Sequence, residues 1–258
     1  MKFLILNGPN INMLGIREPD IYGTLTYDGL VAYLKEQAAG LGVETEFFQS
    51  NSEGELVTAI QGAYRRMDGI VINPAAYTHT SVAILDALKA VALPAAEVHI
   101  SDVTKREAFR QVSYAGMACR YHFVGEGREG YVHAMETLRR HVDGSLRVLH
   151  CLPREDWERA AAAGVLETSG CLHCAPVEYF HRLDMARFSG SEHVILCIDP
   201  AAAGAPVRWE DGPGNPGRFY PHFYGPVRTQ AVTAVLPLQL DGGGQWIKPS
   251  ALAGYGDR

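Results

Sequence analysis

Short apolar runs and amphipathic segments alternate along the first 143 residues. KFLIL at 2–6 and GIVIN at 69–73 are apolar runs of the kind that form buried strands. The segment 26–39 has helical spacing instead, because Leu30 and Leu34 recur on one face. The whole pattern predicts strands at 2–6, 43–49, 69–73, 95–100 and 120–124, and helices at 26–39, 53–66, 80–91, 104–110 and 128–142.

This alternation predicts an α/β fold for residues 1–143. Strands joined through helices pair in parallel and need helices on both faces of the sheet. Because such crossovers are right-handed, we predict a flavodoxin-like five-stranded parallel sheet in the order 2-1-3-4-5.

The alternation stops near residue 144, where Pro, Gly and aromatic residues become frequent. We therefore predict a second domain of α+β class over 146–240 and a Gly-rich flexible tail over 241–258. The second domain should contain helices at 154–163 and 177–188, and strands at 146–150, 170–174, 193–198 and 231–236.

Composition and charge narrow the kinds of partner. With 23 Lys and Arg against 29 Asp and Glu, the net charge of -6 gives no overall basic field for nucleic acid or an anionic membrane. No stretch approaches the roughly 20 apolar residues of a membrane helix, and the first apolar run is too short for a signal peptide. Five scattered cysteines indicate free thiols. We expect a cytoplasmic protein with a small-molecule partner.

Polar residues follow three of the predicted strands at their carboxyl ends. They are Asn7 and Asn10 after the first strand, Asn73 and His79 after the third, and Glu97, His99 and Ser101 at the end of the fourth. A single such residue can simply cap backbone groups. In this strand order the three ends are neighbours, and ligands bind at that edge of an open parallel sheet, so the pattern indicates a site.

The loop after the first strand supplies a candidate base. GIREPDIYG at 15–23 is too polar for a core and carries Arg17 and Tyr22. A neighbouring guanidinium favours the phenolate, so Arg17 makes Tyr22 a usable base, although an exposed tyrosine without a role is the alternative. With His99 as general acid and Glu97 fixing its imidazole, the set suits proton abstraction beside a carbonyl and then loss of water.

Three blocks of this sequence resemble type II 3-dehydroquinate dehydratases: GPNINMLGIREPDIYG at 8–23, NPAAYTHTSVAILDAL at 73–88 and EVHISDVTKREAFRQVSY at 97–114. The resemblance extends from residue 1 to about 143. It implies a hydro-lyase that converts 3-dehydroquinate to 3-dehydroshikimate in the shikimate pathway, towards chorismate and aromatic amino acids. The implied route is an anti elimination through an enolate, without cofactor or metal.

The resemblance also implies a role for individual residues. Tyr22 would remove the C2 proton with Arg17 keeping it ionised, Asn10 would stabilise the enolate through an ordered water, and His99 would protonate the departing C1 hydroxyl. The implied substrate contacts are Asn73, His79 and Arg110 for the ring hydroxyls, the backbone of Ile100 and Ser101 for the carboxylate, Asp86 across a subunit contact, and Arg106 near the mouth.

The family's assembly is a dodecamer, a tetramer of trimers, although twelve additional domains make a smaller assembly an open alternative. The sequence departs from the family at Ala75 in place of Gly, Asp102 in place of Asn and Thr104 in place of an aromatic residue or His. Asp102 adds a negative charge beside the implied carboxylate site, which puts substrate affinity in doubt.

Two other motifs admit alternative interpretations. Gly125, Gly127 and Gly130 spell GxGxxG, but they follow the last strand rather than the first of a dinucleotide-binding unit, so we interpret them as a tight turn. The set His150, Cys151, Cys171, His173 and Cys174 suggests zinc, but alternate residues of a strand share a face, so Cys174 would point away from Cys171 and His173, and buried free cysteines are the favoured alternative.

The second domain resembles a small bacterial family of unknown function, through LHCLPREDWERA at 149–160, SGCLHCAPVEYF at 169–180 and FYPHFYGPV at 219–227. Its polar positions are expected to line one pocket: His150, His173, Glu210, His222 and Tyr224. A distant likeness to ADP-ribosyltransferases makes a ligand-binding or transferase module one possibility, and a purely structural set of histidines is the other.

Two rival functions stay open for the first domain. One is a degenerate domain that serves as an assembly scaffold, which the presence of every implied catalytic side chain argues against. The other is the same chemistry in catabolic quinate use, which the sequence does not distinguish.

Overall fold

The computed structural model describes residues 1–16, 25–103, 107–182, 192–212, 215–239, 241–242 and 246–253. Contacts divide the chain into two compact units, Met1–Gly144 and Ser145–Arg258. Each unit has its own buried apolar cluster.

The first unit is built on five parallel strands. They are β1 Lys2–Asn7, β2 Glu44–Gln49, β3 Gly69–Asn73, β4 Ala95–His99 and β5 Tyr121–Val124. β1 pairs with β2 and β3, and β4 pairs with β3 and β5, always in parallel. The predicted order 2-1-3-4-5 is therefore confirmed, and it brings the carboxyl ends of β1, β3 and β4 side by side.

Among the described residues, three α-helices connect these strands, α1 Tyr27–Gly40, α2 Glu53–Ala63 and α3 Val82–Val91, and a fourth, α4 Glu129–Val142, follows β5. On one face of the sheet, α2 and α3 enclose an apolar cluster of Leu4, Leu6, Leu56, Ile60, Ile70, Ile72, Ile84 and Leu88, among others. The other face is covered by α1 and α4, so helices lie on both faces as predicted.

One helix prediction in this unit is wrong. Residues 104–106 lie outside the described residues, and the rest of the predicted helix at 104–110 forms only a 3-10 turn, Ala108–Arg110. This turn buries none of its side chains, so no apolar face stabilises a longer helix.

The described residues of the second unit form a mixture of antiparallel strands with one α-helix. The strands are β6 Val148–Pro153, β7 Val165–Leu166, β8 Leu172–His173, β9 Ala175–Pro176, β10 His193–Ile198, β11 Val207–Gly212, β12 Asn215–Phe223, β13 Val227–Arg228 and β14 Val232–Pro237. The helix, α5, spans Arg154–Ala163 as predicted. One four-stranded sheet has the order β14-β10-β6-β9, β8 joins the hairpin β11–β12, and β7 pairs with β13.

One helix prediction for this unit is wrong, and one pair of strands was not predicted. The predicted helix at 177–188 is a 3-10 helix over Val177–Arg182, and the positions that follow, 183–191, lie outside the described residues. The hairpin β11–β12 was not predicted, because its Pro and Gly residues are typical of turns rather than strands.

No helix in the described part of the chain is long and apolar enough to span a lipid bilayer.

The expected flexible tail is also wrong for the part that is described. Leu252 is 1% exposed and belongs to the same apolar cluster as Val177 and Phe180, against which Trp246 packs. The Ile247 amide donates to the Gln239 carbonyl over 2.9 Å. Burial of these large apolar side chains stabilises a segment whose Gly-rich start suggested disorder.

Candidate active site

A pocket of about 130 Å³ lies at the carboxyl edge of the parallel sheet. Its lining includes seven of the predicted site residues: Asn10, Asn73, His79, His99, Ile100, Ser101 and Arg110. They come from the segments that follow β1, β3 and β4 and from the 3-10 turn at 108–110. The structure thus brings together side chains that are up to 100 positions apart in the sequence.

Other predicted residues are not part of this lining. Tyr22, Arg17 and Arg106 lie outside the described residues. Asp86 is exposed on α3, away from the pocket, where the resemblance expects it to face another subunit. Glu97 stands behind His99, since its Oε1 lies 3.0 Å from His99 Nε2.

Glu97 is held by neighbouring side chains. The carboxylate is only 2% exposed and accepts hydrogen bonds from the hydroxyls of Thr78 and Ser113. His99 faces one of its oxygens, and His122 Nδ1 lies 3.2 Å from the other. A buried carboxylate with this many partners is fixed in one orientation, and so is the imidazole that it contacts.

The surroundings of Glu97 also determine its charge. Burial alone would raise the pKa of Glu97, but the charges and hydrogen bonds of His99 and His122 outweigh it and hold that pKa well below its usual range. Glu97 is therefore ionised at neutral pH, and its Oε1 faces the His99 imidazole. Because Nε2 of His99 faces Glu97, Nδ1 is the nitrogen left to face the pocket.

Asn73 is oriented by a network that the sequence did not suggest. Its side-chain N–H donates to the Tyr131 hydroxyl over 2.8 Å, and that hydroxyl donates to Asn7 Oδ1 over 2.6 Å. The Ala75 amide donates to Asn73 Oδ1 over 3.2 Å. Tyr131 is fully buried, and burial raises the pKa of its hydroxyl, so it stays protonated and able to donate.

Asn10 has a left-handed backbone conformation, with φ at 68°. Its amide donates to Asn51 Oδ1 over 2.9 Å, and Gln49 Nε2 donates to the Gly8 carbonyl over 3.2 Å. Asparagine tolerates this conformation better than most residues. Gln49, the last residue of β2, and Asn51, just after it, thus fix the segment that carries Asn10.

His79 and Arg110 line the pocket from the 3-10 turns at Ala75–His79 and Ala108–Arg110. His79 Nδ1 is 2.8 Å from the Val112 carbonyl, which leaves its other ring nitrogen for a ligand. Arg110 donates to Glu107 over 2.8 Å and lies 5.0 Å from the centre of the Phe109 ring. Arg110 thus brings a positive charge to a pocket for which the resemblance implies a hydroxylated acid.

The GxGxxG glycines support the pocket wall. Gly125 and Gly127 have φ of 85° and 60°, values that favour glycine. Their amides donate to the carbonyls of His99 and Ile100 over 2.9 and 3.0 Å. The glycines therefore form a tight turn that holds the backbone after β4.

The second unit contains a separate polar cluster, formed by Tyr224, Glu210, His222 and His173. The Tyr224 hydroxyl donates to Glu210 over 2.7 Å, and His222 Nδ1 lies 3.4 Å from the same carboxylate. The His173 and His222 rings meet edge to face at 4.7 Å. His150 contributes through its Nδ1, which lies 2.8 Å from the His173 carbonyl.

Burial and the Glu210 carboxylate raise the pKa of Tyr224 to about 12, so its hydroxyl is a donor at neutral pH. The Arg208 guanidinium lies 4.5 Å from the centre of the Tyr224 ring. The predicted polar set of this domain is thus connected by contacts.

The zinc interpretation is not supported within the described residues. No group of three or more His, Cys, Asp and Glu side chains in the described ranges is arranged to hold a metal ion. His173 is exposed whereas Cys174 is buried, because neighbouring positions of an extended segment face opposite sides.

Comparisons with known proteins agree with this division. Residues 1–139 match the family model described as Dehydroquinase class II, and residues 151–235 match the model described as Protein of unknown function (DUF952). A 3-dehydroquinate dehydratase of Clostridium perfringens is 49% identical over 143 residues, which cover 55% of this chain and 98% of that protein. A 3-dehydroquinate dehydratase of Geotalea daltonii is 52% identical over 142 residues, with coverage of 55% and 99%.

Solved structures give the same result for the first unit. The type II dehydroquinase from Butyrivibrio crossotus is 48% identical, covers 54% of this chain and 97% of its own, and has a TM-score of 0.53. The type II dehydroquinase from Propionibacterium acnes is 42% identical, with coverage of 52% and 92% and a TM-score of 0.51.

Proposed function

Because this chain belongs to the class II dehydroquinase family through residues 1–139, we propose that its pocket performs the elimination with His99 as general acid. The chain is a 3-dehydroquinate dehydratase, a hydro-lyase of type II, and its reaction is a step of the shikimate pathway. The roles of the described residues rest on the geometry of the pocket, and those of Tyr22, Arg17 and Arg106 rest on the resemblance.

The observation that carries the proposal is the pairing of His99 with Glu97 at the back of the pocket. A histidine that lines a pocket and contacts an ionised, buried carboxylate holds a proton in a fixed direction. This is what a group needs in order to protonate a departing hydroxyl.

The elimination requires a base and an acid. Tyr22, as phenolate beside Arg17, removes a proton from C2, and the electrons form an enolate with the neighbouring carbonyl. Asn10 stabilises the enolate oxygen through an ordered water. The enolate then re-forms the carbonyl as the C1–oxygen bond breaks, and His99 donates its proton to the departing hydroxyl, which leaves as water.

The remaining pocket residues bind the substrate. Asn73, His79 and Arg110 offer donors for the ring hydroxyls, and Asn73 is pre-oriented by Tyr131. The backbone amides of Ile100 and Ser101 receive the carboxylate, and the resemblance adds Arg106 and, from a neighbouring subunit, Asp86. Fixing these donors in advance lowers the cost of ordering them on binding.

The activity is tested by adding 3-dehydroquinate to the purified full chain and following the ultraviolet absorbance of the conjugated enone product. We expect steady turnover without added metal or cofactor. A folded chain that forms no enone would contradict the proposal and favour the scaffold function for the first unit. The same reaction in quinate catabolism would give the same absorbance change, so this assay tests the chemistry and not the pathway.

We propose that the chain acts as a homo-oligomer, a dodecamer of four trimers, as the resemblance implies. The exposed position of Asp86 on α3 supports this, because a residue that completes a neighbouring pocket must lie on the surface of its own chain. The dodecamer requires that twelve copies of the second unit fit outside it. If they do not fit, a smaller assembly forms.

For the second unit we propose a ligand-binding module built on Tyr224, Glu210, His222 and His173. The contacts among these side chains support a common site, and the likeness to ADP-ribosyltransferases makes NAD the first ligand to test. Calorimetric titration of the full chain with NAD should give a binding heat that Tyr224→Phe and Glu210→Gln remove. Tyr33→Phe, in the first unit, is the control, and a native chain that gives no heat would contradict an NAD site.

A further inference from the structure

Glu97 contacts two histidines, and only one of them lines the pocket. Its Oε1 faces His99 Nε2 at 3.0 Å, and its Oε2 faces His122 Nδ1 at 3.2 Å. His122 lies directly beside Glu97 in the sheet, since the two are register partners on β5 and β4. The pocket lining includes His99 but not His122.

We propose that His122 is a positioning residue for the dehydration: it holds the rear oxygen of Glu97 and shares the charge of that carboxylate with His99. The inference rests on the proposed role of His99 as general acid. It adds to that role a residue that controls how firmly His99 keeps its proton, without contact with the substrate in this pocket.

The packing around the pair leaves the carboxylate one orientation. Ser113 Oγ donates to both oxygens of Glu97, at 2.7 and 2.9 Å, and also accepts from the Gly116 amide at 2.8 Å. A Cβ on Gly116 would lie 2.8 Å from His122 Cε1 and would clash with Glu97 Oε2. The turn at 115–118 therefore closes directly over the His122–Glu97 contact, and a glycine is needed for it to do so.

The charges make the coupling between the two histidines unavoidable. One carboxylate carries one negative charge, so it compensates fully for only one protonated imidazole. Glu97 lies opposite His122 in the register of β4 and β5, and Cys119 and Arg120 come just before His122 in the chain. Burial and Glu97 raise the pKa of Cys119 well above its usual value, so this thiol adds no charge at neutral pH.

Two substitutions distinguish the effect of the His122 hydrogen bond from the effect of its titration. His122→Asn keeps an N–H donor near the position of Nδ1 but does not titrate, and His122→Leu removes both donor and charge. His133→Asn is the matched control, because His133 is bonded to Glu126 instead of Glu97. All variants are made in the full chain.

The first readout is the titration of His99, followed by NMR of the full chain labelled with ¹³C at the histidine Cε1, with His99→Ala used to assign its signal. Removal of the competing imidazole should shift the titration midpoint of His99 upwards by about half a pH unit or more in both variants. His133→Asn should leave it unchanged. An unchanged midpoint in both His122 variants would overturn the proposal, and if His122→Leu does not fold, His122→Asn decides alone.

The second readout is the dependence of kcat and KM on pH. The basic limb that reports protonated His99 should move upwards with the NMR midpoint, and kcat of His122→Leu should fall by on the order of tenfold with KM nearly constant, because His99 loses its fixed orientation. His122→Asn should retain most of kcat. A rise of the NMR midpoint in a chain without turnover would remove the proposed function but keep the coupling, so the two failures are distinguishable.

Discussion

Ala75 lines the pocket with a backbone conformation that alanine rarely adopts. Its φ is 51°, in the left-handed region, where the family resemblance leads one to expect glycine. A Cβ in this region costs roughly 1 kcal/mol or more per residue. The turn after β3 therefore carries strain at a point where the Ala75 amide holds Asn73 in place.

Ala75→Gly should stabilise the first unit by up to about 1 kcal/mol, with part of the gain offset by the greater freedom of glycine in the unfolded chain. Hydrogen exchange of the β1 and β3 amides measures this free energy of unfolding. Ala90→Gly, at an exposed position of α3, is the control and should lose about 1 kcal/mol, since helical φ gives glycine no advantage. Equal losses in both variants would show that residue 75 is not strained.

Glu97→Gln should lower the free energy of unfolding at pH 7 by about 3 kcal/mol, because it leaves His99 and His122 without their buried anion. The pKa of Glu97 is depressed in the folded state, so its contribution is present above the unfolded value of about 4.5 and is lost as the pH falls towards the folded value. The difference between native chain and variant should therefore narrow below pH 4.5. Urea unfolding at several pH values measures it, with exposed Glu44→Gln as a control, and a constant difference would contradict the assignment.

The sequence predicted those site residues that follow strand ends, because strand order alone brings Asn10, Asn73 and His99 together. It did not reveal Tyr131 or His122. Tyr131 contacts Asn73 across 58 positions of the chain, and His122 meets Glu97 only through the register of two neighbouring strands. Such partners depend on three-dimensional packing that no local pattern records.

At the level of elements, apolar runs were the most informative feature. The strand at 69–73 and the helix at 154–163 have the predicted bounds. A short buried apolar run favours a strand, and an amphipathic repeat favours a helix. The predictions failed where tertiary contacts determine the secondary structure. The hairpin β11–β12 forms in a segment rich in Pro and Gly, and the 3-10 turn at 108–110 lacks an apolar face.

The start of α1 offers a test of an element boundary. Thr26 Oγ1 accepts from the Gly29 amide over 3.1 Å and so caps the helix. Thr26→Ala should cost about 1 kcal/mol of stability, whereas Thr26→Ser keeps the oxygen and should cost far less. Thermal unfolding of the three chains measures the effect, and identical melting of the Ala and Ser variants would show that the cap contributes nothing.

For the whole molecule, the division into two units was predictable from the change in composition near residue 144, and contacts divide the chain between Gly144 and Ser145. The tail was not predictable, because a Gly-rich start conceals apolar residues that pack further on, at Trp246 and Leu252. Assembly is a property that neither the pattern nor a single chain reveals.

Light scattering of the full chain should give twelve times the 28.2 kDa chain mass if the proposed dodecamer forms. Asp86→Ala should then raise KM more than it lowers kcat, because the residue would act on substrate from a neighbouring subunit. A monomer with full activity would contradict both the assembly and the role of Asp86.

The most direct test of the proposed site compares the rate of enone formation in the native chain, Tyr22→Phe and His99→Ala, all at pH 7. General acid and base contributions are typically 10²–10⁴-fold, so each variant should lose at least about 10² in kcat while its fold is unchanged. Tyr33→Phe should retain the native rate. Turnover by His99→Ala at the native rate would contradict the assignment of this pocket as the place where the hydroxyl is protonated.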